Sequence, residues 1–389
     1  MASNVINIRE FVDVSTAVAS SPTNVSRDWS AVLFVQKGTD AQATVITKYD
    51  DLAAVIAAVG SNTEAAKFAA QLYGTSYDGI SLNAPLYVAE IGAADADEFI
   101  ENFMALLGDE RFYYIALDTL FTDAMKKSAV SLNEANQSGV SHKLFVDDLS
   151  PLAFNSTLAA DLGNGANASI SAFCAGAKCK QCMVAAVNPS NTNKYYSAGM
   201  IAYFATREFA ATSRCMATIA HKPASGISPI DFTDSGITVS PDDAWKNLDE
   251  KHANAYINVK LVGLSAWERG NTPAGDDVTA YISADYLNYT ISVSVFQLLQ
   301  SVPRLAMNEN GASLLANTLD GAFNKLYNAG IIGPGVSLDG ESFGGRGYHY
   351  SIPTPTGVKR ANGLWDGIYC SALLQSSAKK VVIGNVLKK

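Results

Sequence analysis

Three thiols fall within nine residues, Cys174-Ala-Gly-Ala-Lys-Cys179-Lys-Gln-Cys182. The C-x4-C-x2-C spacing matches the plant-type ferredoxin loop, whose thiolates wrap an iron–sulfur cluster, and Cys215 stands downstream as a fourth candidate ligand. Zinc is the other cofactor that such a spacing suits. The context argues against both. A ferredoxin domain is small and self-contained, whereas this triplet lies inside a long α/β pattern beside Lys178 and Lys180. Free thiols are the preferred reading, and no cofactor is expected.

Other chemistry is thinner still. Gly163-Asn-Gly165-Ala-Asn-Ala168 loosely matches a dinucleotide fingerprint. It follows a helix-like segment, residues 151–162, where the fingerprint needs a strand turning into a helix. The chain has no G-x-x-x-x-G-K-[ST] phosphate loop and no G-x-S-x-G nucleophile elbow. His142, His221, His252 and His349 are scattered without metal-ligand spacing. His221 with Cys215 forms a nucleophile pair only on paper, since no orienting acid stands nearby. Asp242-Asp243 and Asp276-Asp277 read as solvated turn carboxylates. Catalysis is not expected.

The elements that would have to position such groups read as two layers. Residues 31–35 (AVLFV), 86–91 (LYVAEI), 112–117 (FYYIAL), 143–146 and 183–187 are strand-like apolar runs. Helical patterns separate them: 50–59, 63–73 with Thr63 as N-cap, and 95–107 with acidic residues in its first turn. The region to about residue 220 therefore reads as an α/β layer with a largely parallel sheet.

Pro223, Gly226, Pro229, Gly236 and Pro241 mark a loop-rich boundary. Beyond it, 255–264 alternates as one strand. Leu315, Leu319, Ala322 and Leu326 form one helical face that stops at Gly330. The stretch 286–302 is ambiguous, because Ile291, Val293 and Val295 alternate like a strand within a helix-like context. Residues 333–347 read as a long Gly-rich loop.

Both ends look like strand arms. Val5, Asn7, Arg9 and Phe11 would face one way and Ile6, Ile8, Glu10 and Val12 the other, with Val14 just beyond. A polar linker, 15–26, follows, so the arm can pair with another subunit as readily as with its own. Val381, Val382, Ile383, Val386 and Leu387 form a short strand between lysines at the other end. The expected fold is mixed α+β. It divides into an arm and linker (1–25), an α/β domain (26–222), a second α+β domain (223–378) and a C-terminal arm (379–389).

Composition limits the function classes. The chain has 389 residues, 48% of them hydrophobic, with only 17% charged against about 25% in an average soluble protein. Few charges on the surface suit burial against neighbours, because little has to be desolvated. Twenty-eight basic against 37 acidic residues, a net charge of −9, excludes a general nucleic-acid binder. The lysines at 379, 380, 388 and 389 read as a solvated tail. No apolar run reaches the ~18–20 residues that span a bilayer, and the first ten residues lack the pattern of a signal peptide. Five cysteines, an odd count, point to a chain made in a reducing cytoplasm.

Several stretches, taken in order, resemble the contractile tail sheath proteins of myophages. They are Val5 to Val14 with Ser26-Arg-Asp-Trp-Ser-Ala-Val-Leu-Phe34; Tyr49-Asp-Asp-Leu52; residues 65–73; Pro85 to Ile91; and Lys222-Pro-Ala-Ser-Gly-Ile-Ser-Pro229. Trp267-Glu-Arg-Gly270, Phe296-Gln-Leu-Leu299, Tyr327 to Ile332 and the closing segment 360–386 come after them. No single motif is specific; their order along nearly the whole chain carries the resemblance. The length suits a minimal sheath similar to those of R-type tailocins. The cysteine triplet is a departure from the family pattern.

The resemblance implies a structural subunit, not an enzyme, stacked helically around a tail tube and contracting to drive it through a host envelope. Its implied partners are other sheath subunits, the tube protein, and baseplate and tail terminator proteins, with no nucleic acid and no membrane. Its implied place is the virion tail, assembled in the host cytoplasm. The N-terminal and C-terminal strands would be lent to neighbours, and the second domain would face the tube. Competing expectations are an iron–sulfur or other redox protein, a surface-layer or adhesin protein, and a tail tube protein, which would be smaller and mostly β.

Overall fold

The computed structural model describes residues 28–38, 45–92, 96–136, 140–191, 194–207, 209, 217–259, 263–337 and 339–375. Both expected arms lie outside the described residues: Val5, Ile6, Ile8, Phe11, Val12 and Val14 at one end, Val381, Val382, Ile383 and Val386 at the other.

The first half alternates strand and helix. In order come β1 (Val32–Gly38), β2 (Val45–Tyr49), α1 (Leu52–Val59), α2 (Glu64–Gly74) and the small hairpin β3 (Ser76–Tyr77) and β4 (Ile80–Ser81). Next are β5 (Leu86–Gly92), α3 (Ala96–Leu107), β6 (Tyr114–Leu117), α4 (Asp123–Glu134) and β7 (Lys143–Asp148). Two short helices, α5 (Pro151–Asn155) and α6 (Leu158–Leu162), precede α7 (Ile170–Gly176), β8 (Cys182–Ala186) and α8 (Tyr196–Ala205).

Six of these strands form one sheet in the order β2-β5-β1-β6-β7-β8. All its pairings are parallel except β2 on β5. The parallel strands are near-continuous apolar runs because helices cover both faces. Strand alternation then divides the side chains: Val32 and Phe34 join one apolar cluster with α1, α2 and α8, while Leu33 and Val35 join another with α3, α4 and α7. Helix starts are fixed by side-chain caps. Thr63 accepts from Ala66 N, Thr122 from Met125 N and Ser169 from Ala172 N, each worth about 1 kcal/mol.

The second half adds α9 (Pro241–Glu250), the hairpin β9 (Ala255–Val259) and β10 (Leu264–Glu268), and the long helices α10 (Val278–Ser301) and α11 (Glu309–Asn328). Two small ribbons complete it, β11 (Gly335–Val336) with β12 (Ser342–Phe343), and β13 (Tyr348–Ser351) with β14 (Tyr369–Ala372), with α12 (Gly357–Ala361) inserted in the second. Ala244, Leu248, Val278, Ile282, Leu319 and Phe323 extend the cluster that underlies Val32 and Phe34. Asn254 also hydrogen-bonds the edge strand β8, through Ala186 N to its carbonyl at 2.8 Å and its own N–H to Val184 O at 2.9 Å.

Two expectations change, an open stretch is settled and a strand is added. The single strand over 255–264 is a hairpin that breaks after Val259, where Gly263 (φ 62°) takes a left-handed turn. The ambiguous 286–302 stretch is helical. Ile291 and Ser292 are buried there, the helix is capped by Asp277, and the alternation of Ile291, Val293 and Val295 has no strand behind it. Residues 45–49 add an antiparallel edge strand that the pattern VITKY, mostly exposed, does not announce. The Gly-rich 333–347 segment contains the β11–β12 pair and is not wholly loop.

Candidate functional site

The cysteine triplet folds back on itself. Helix α7 ends at Gly176, and Lys178 adopts φ 52°, a left-handed turn that reverses the chain. Cys179 N–H then donates to the Cys174 carbonyl at 3.1 Å, and Cys182 opens β8. The three sulfurs lie within 4.8 Å of one another, and all three side chains are buried. They belong to the apolar cluster of Met125, Ala129, Leu144 and Val184.

The turn is pinned from both sides. Gln181 N–H donates to the Glu134 carboxylate at 2.5 Å, and Ala274 N–H to the Cys179 carbonyl at 3.0 Å. Thiol donors from Cys174 and Cys182 stabilise the Cys179 thiolate and hold its pKa well below the thiol range. The same shared interactions, together with burial, push Cys174 and Cys182 up. Cys215 lies outside the described residues, and Cys370 sits apart in β14.

The remaining sequence candidates do not converge on it. His142 is buried against Leu107 O at 3.2 Å, His221 meets Glu268 at 3.1 Å and His349 meets Glu341 at 3.0 Å. Among the described residues, the three cysteines are the one group of three or more metal-ligating side chains that close together. Asp277 caps α10 and Asp243 accepts from the Ser240 hydroxyl, so these carboxylates start helices. The Gly163–Ala168 segment follows α6, not a strand, and Lys127 Nζ donates to the carbonyls of Ala166 and Ala168.

An open parallel sheet receives ligands outside the carboxyl ends of its strands, where the strand order reverses. Here that point lies between β1 and β6, and sequence reasoning did not foresee what occupies it. Asp118, just past β6, accepts from Lys37 N at 3.1 Å and Leu120 N at 2.9 Å. The buried Tyr195 hydroxyl lies 2.6 Å from Glu64 Oε2 and 3.1 Å from Asp118 Oδ1, and its ring meets Phe34 and Phe68 edge-on. Burial pushes Asp118 up and Tyr195 far up.

At the next strand, Asp147 accepts from Ser197 N–H at 2.8 Å and from its hydroxyl, and Asp148 does the same for Ser171. Burial pushes Asp147 up to about 6. These carboxylates are committed to the starts of α8 and α7.

No family model matches the chain, and no curated protein matches it. Solved structures do. The chain aligns over 100% of its length with 99% of a chain of the anti-feeding prophage (AFP) helical sheath in its contracted state, at TM-score 0.61 and 13% identity. It has the fold of the AFP helical sheath.

Chains of two AFP baseplate structures are similar as well. One, six-fold symmetrised, covers 97% of this chain and 98% of its own at TM-score 0.60 and 14% identity. The other, in the contracted state, covers 100% and 98% at 0.58 and 12%. Because the sheath alignment spans both chains almost end to end, it takes in the six-stranded layer and the later helices and ribbons together. The mixed α+β fold expected from the sequence, and the sheath fold expected from the resemblance, are both present. Among the described residues no helix is long and apolar enough to cross a membrane.

Proposed function

We propose that this chain is a structural subunit of a contractile tail sheath, polymerising helically around a tail tube and contracting to drive that tube through a host envelope. The observation that carries the reading is the end-to-end fold match to the AFP helical sheath. Its role is mechanical and not catalytic. At the switch point the Tyr195 hydroxyl lies against both Glu64 and Asp118, so these carboxylates have partners within the chain, which supports that.

In this reading residues 1–25 and 379–389 are strand arms lent to neighbouring subunits, with 26–222 as the outer domain and 223–378 as the inner one. The small ribbons favour strand lending: β9–β10, β11–β12 and β13–β14 each have two strands among the described residues, and a two-stranded ribbon is marginal until a further strand completes it. Contraction is then a one-way passage from an extended lattice to a denser one, needing no nucleotide. The partners are other copies, the tube, baseplate and tail terminator proteins. The place is the tail of a phage or phage-like particle, assembled in the host cytoplasm.

Negative-stain electron microscopy of the purified chain, alone and co-expressed with its tube protein, tests the proposal. Stacked rings or striated hollow tubes are the expected result. Dispersed single particles under both conditions would overturn it.

A further inference from the structure

We infer that Cys174, Cys179 and Cys182 together bind one zinc ion in a buried three-thiolate site. The inference is independent of the sheath proposal. Three sulfurs each ~2.3 Å from zinc stand roughly 3.8–4.0 Å apart, and these three already lie within 4.8 Å of one another. Little side-chain movement separates the two arrangements. The backbone that presents them is held by three hydrogen bonds, from Cys179 to Cys174, Gln181 to Glu134 and Ala274 to Cys179.

Three neutral thiols could instead act as small apolar side chains, which is how most buried cysteines behave. Their convergence speaks for a metal. Sulfurs from a helix end, a left-handed turn and a strand start meet at one point, and no other described group closes up in this way. A lone disulfide would leave the third thiol unexplained.

The charge balance selects the cation. Three thiolates with a divalent ion leave one net negative charge, and the exposed Lys178 and Lys180 flank the turn to offset it. A monovalent ion would leave two negative charges in apolar surroundings. A water molecule would supply the fourth position. Binding displaces the thiol protons to solvent and involves no redox change. The resulting chelate would fasten the end of α7 to the sheet-edge strand β8, and through Cys179 to the loop that leads into α10.

The test uses the full chain, reduced and stripped of metal, titrated with Co(II) and then Zn(II). Thiolate-to-cobalt charge-transfer absorption should saturate at one equivalent, and zinc should bleach it one for one. X-ray absorption of the zinc-loaded wild type, which needs no variant, should give three sulfur neighbours at about 2.3 Å. Cys179→Ser should weaken binding at least ~100-fold, and Cys370→Ser should leave it unchanged. Absent charge-transfer absorption, fewer than three sulfur neighbours, or a Cys179→Ser variant that binds like wild type would each overturn the assignment.

Discussion

Asp285 reaches from α10 to the sheet, where its Oδ2 takes Lys143 Nζ at 2.8 Å, the Tyr113 hydroxyl at 2.7 Å and the Ser141 hydroxyl at 2.7 Å. Both members of the ion pair are buried. Removing one member of such a pair strands the other charge in a poor solvent for it. Asp285→Ala is expected to cost roughly 3–5 kcal/mol, read as a lowered midpoint in urea denaturation.

Asp147 behaves in the opposite sense. Burial raises its pKa from the ordinary 3.8 to about 6 in the folded chain. The folded state therefore holds an extra proton between those values, and stability falls as pH rises through that window and is level above it. In Asp147→Asn this slope should vanish. Relative to wild type, the variant should gain roughly 2–3 kcal/mol between pH 4 and pH 7, measured by denaturation at each pH.

Among the elements, the 222–229 segment joins the sheet layer to the second half of the chain. Ser225 and Ser76 exchange backbone hydrogen bonds, and the Gly226 carbonyl accepts from Gln71 Nε2 at 2.9 Å. Gly226 has φ 86°, and a Cβ there would lie 2.3 Å from the Gly74 carbonyl oxygen. Gly226→Ala thus combines a left-handed conformation with a backbone clash. It should destabilise by roughly 2–4 kcal/mol, visible as a drop in melting temperature.

Elements with a strong period and a cap were legible in the sequence: α2 behind Thr63, the apolar run of β5, and the α11 face of Leu315, Leu319, Ala322 and Leu326. Where local pattern competed with tertiary contacts, it misled. The Ile291–Val295 alternation sits in a helix because α10 buries Val278, Tyr281, Ile282, Asp285, Asn288 and Ile291 along one face. The thiol triplet was legible as a spacing but not as a cluster, since nothing in the side chains announces the left-handed Lys178. The Tyr195–Asp118 contact joins residues 77 apart in sequence, beyond the reach of any local signal.

For the molecule as a whole, the proposed exchange of strands makes assembly and folding separable. Deleting residues 1–14 should leave a body with wild-type circular dichroism and melting temperature that forms no rings or tubes. Unfolding of the truncated monomer would instead place the arm in its own core. In the proposed lattice, low charge would leave cohesion to backbone pairing and apolar contact, which salt screens little.

The chain enters its described body through the middle of the sheet. β1 lies between parallel neighbours, paired with β5 over seven residues and with β6 over four. A pull on the N-terminal end loads β1 along its axis, and the bonds to both flanking strands must shear at once. A pull on the C-terminal end meets the few bonds of residues 373–375 to Ile331, Gly333 and Gly347, and then β14, held by four pairs to β13. In single-molecule stretching the C-terminal attachment should therefore rupture at the lower force. If a contracting lattice transmits tension through both ends, the central strand is the anchor, and strain is released first at the ribbon.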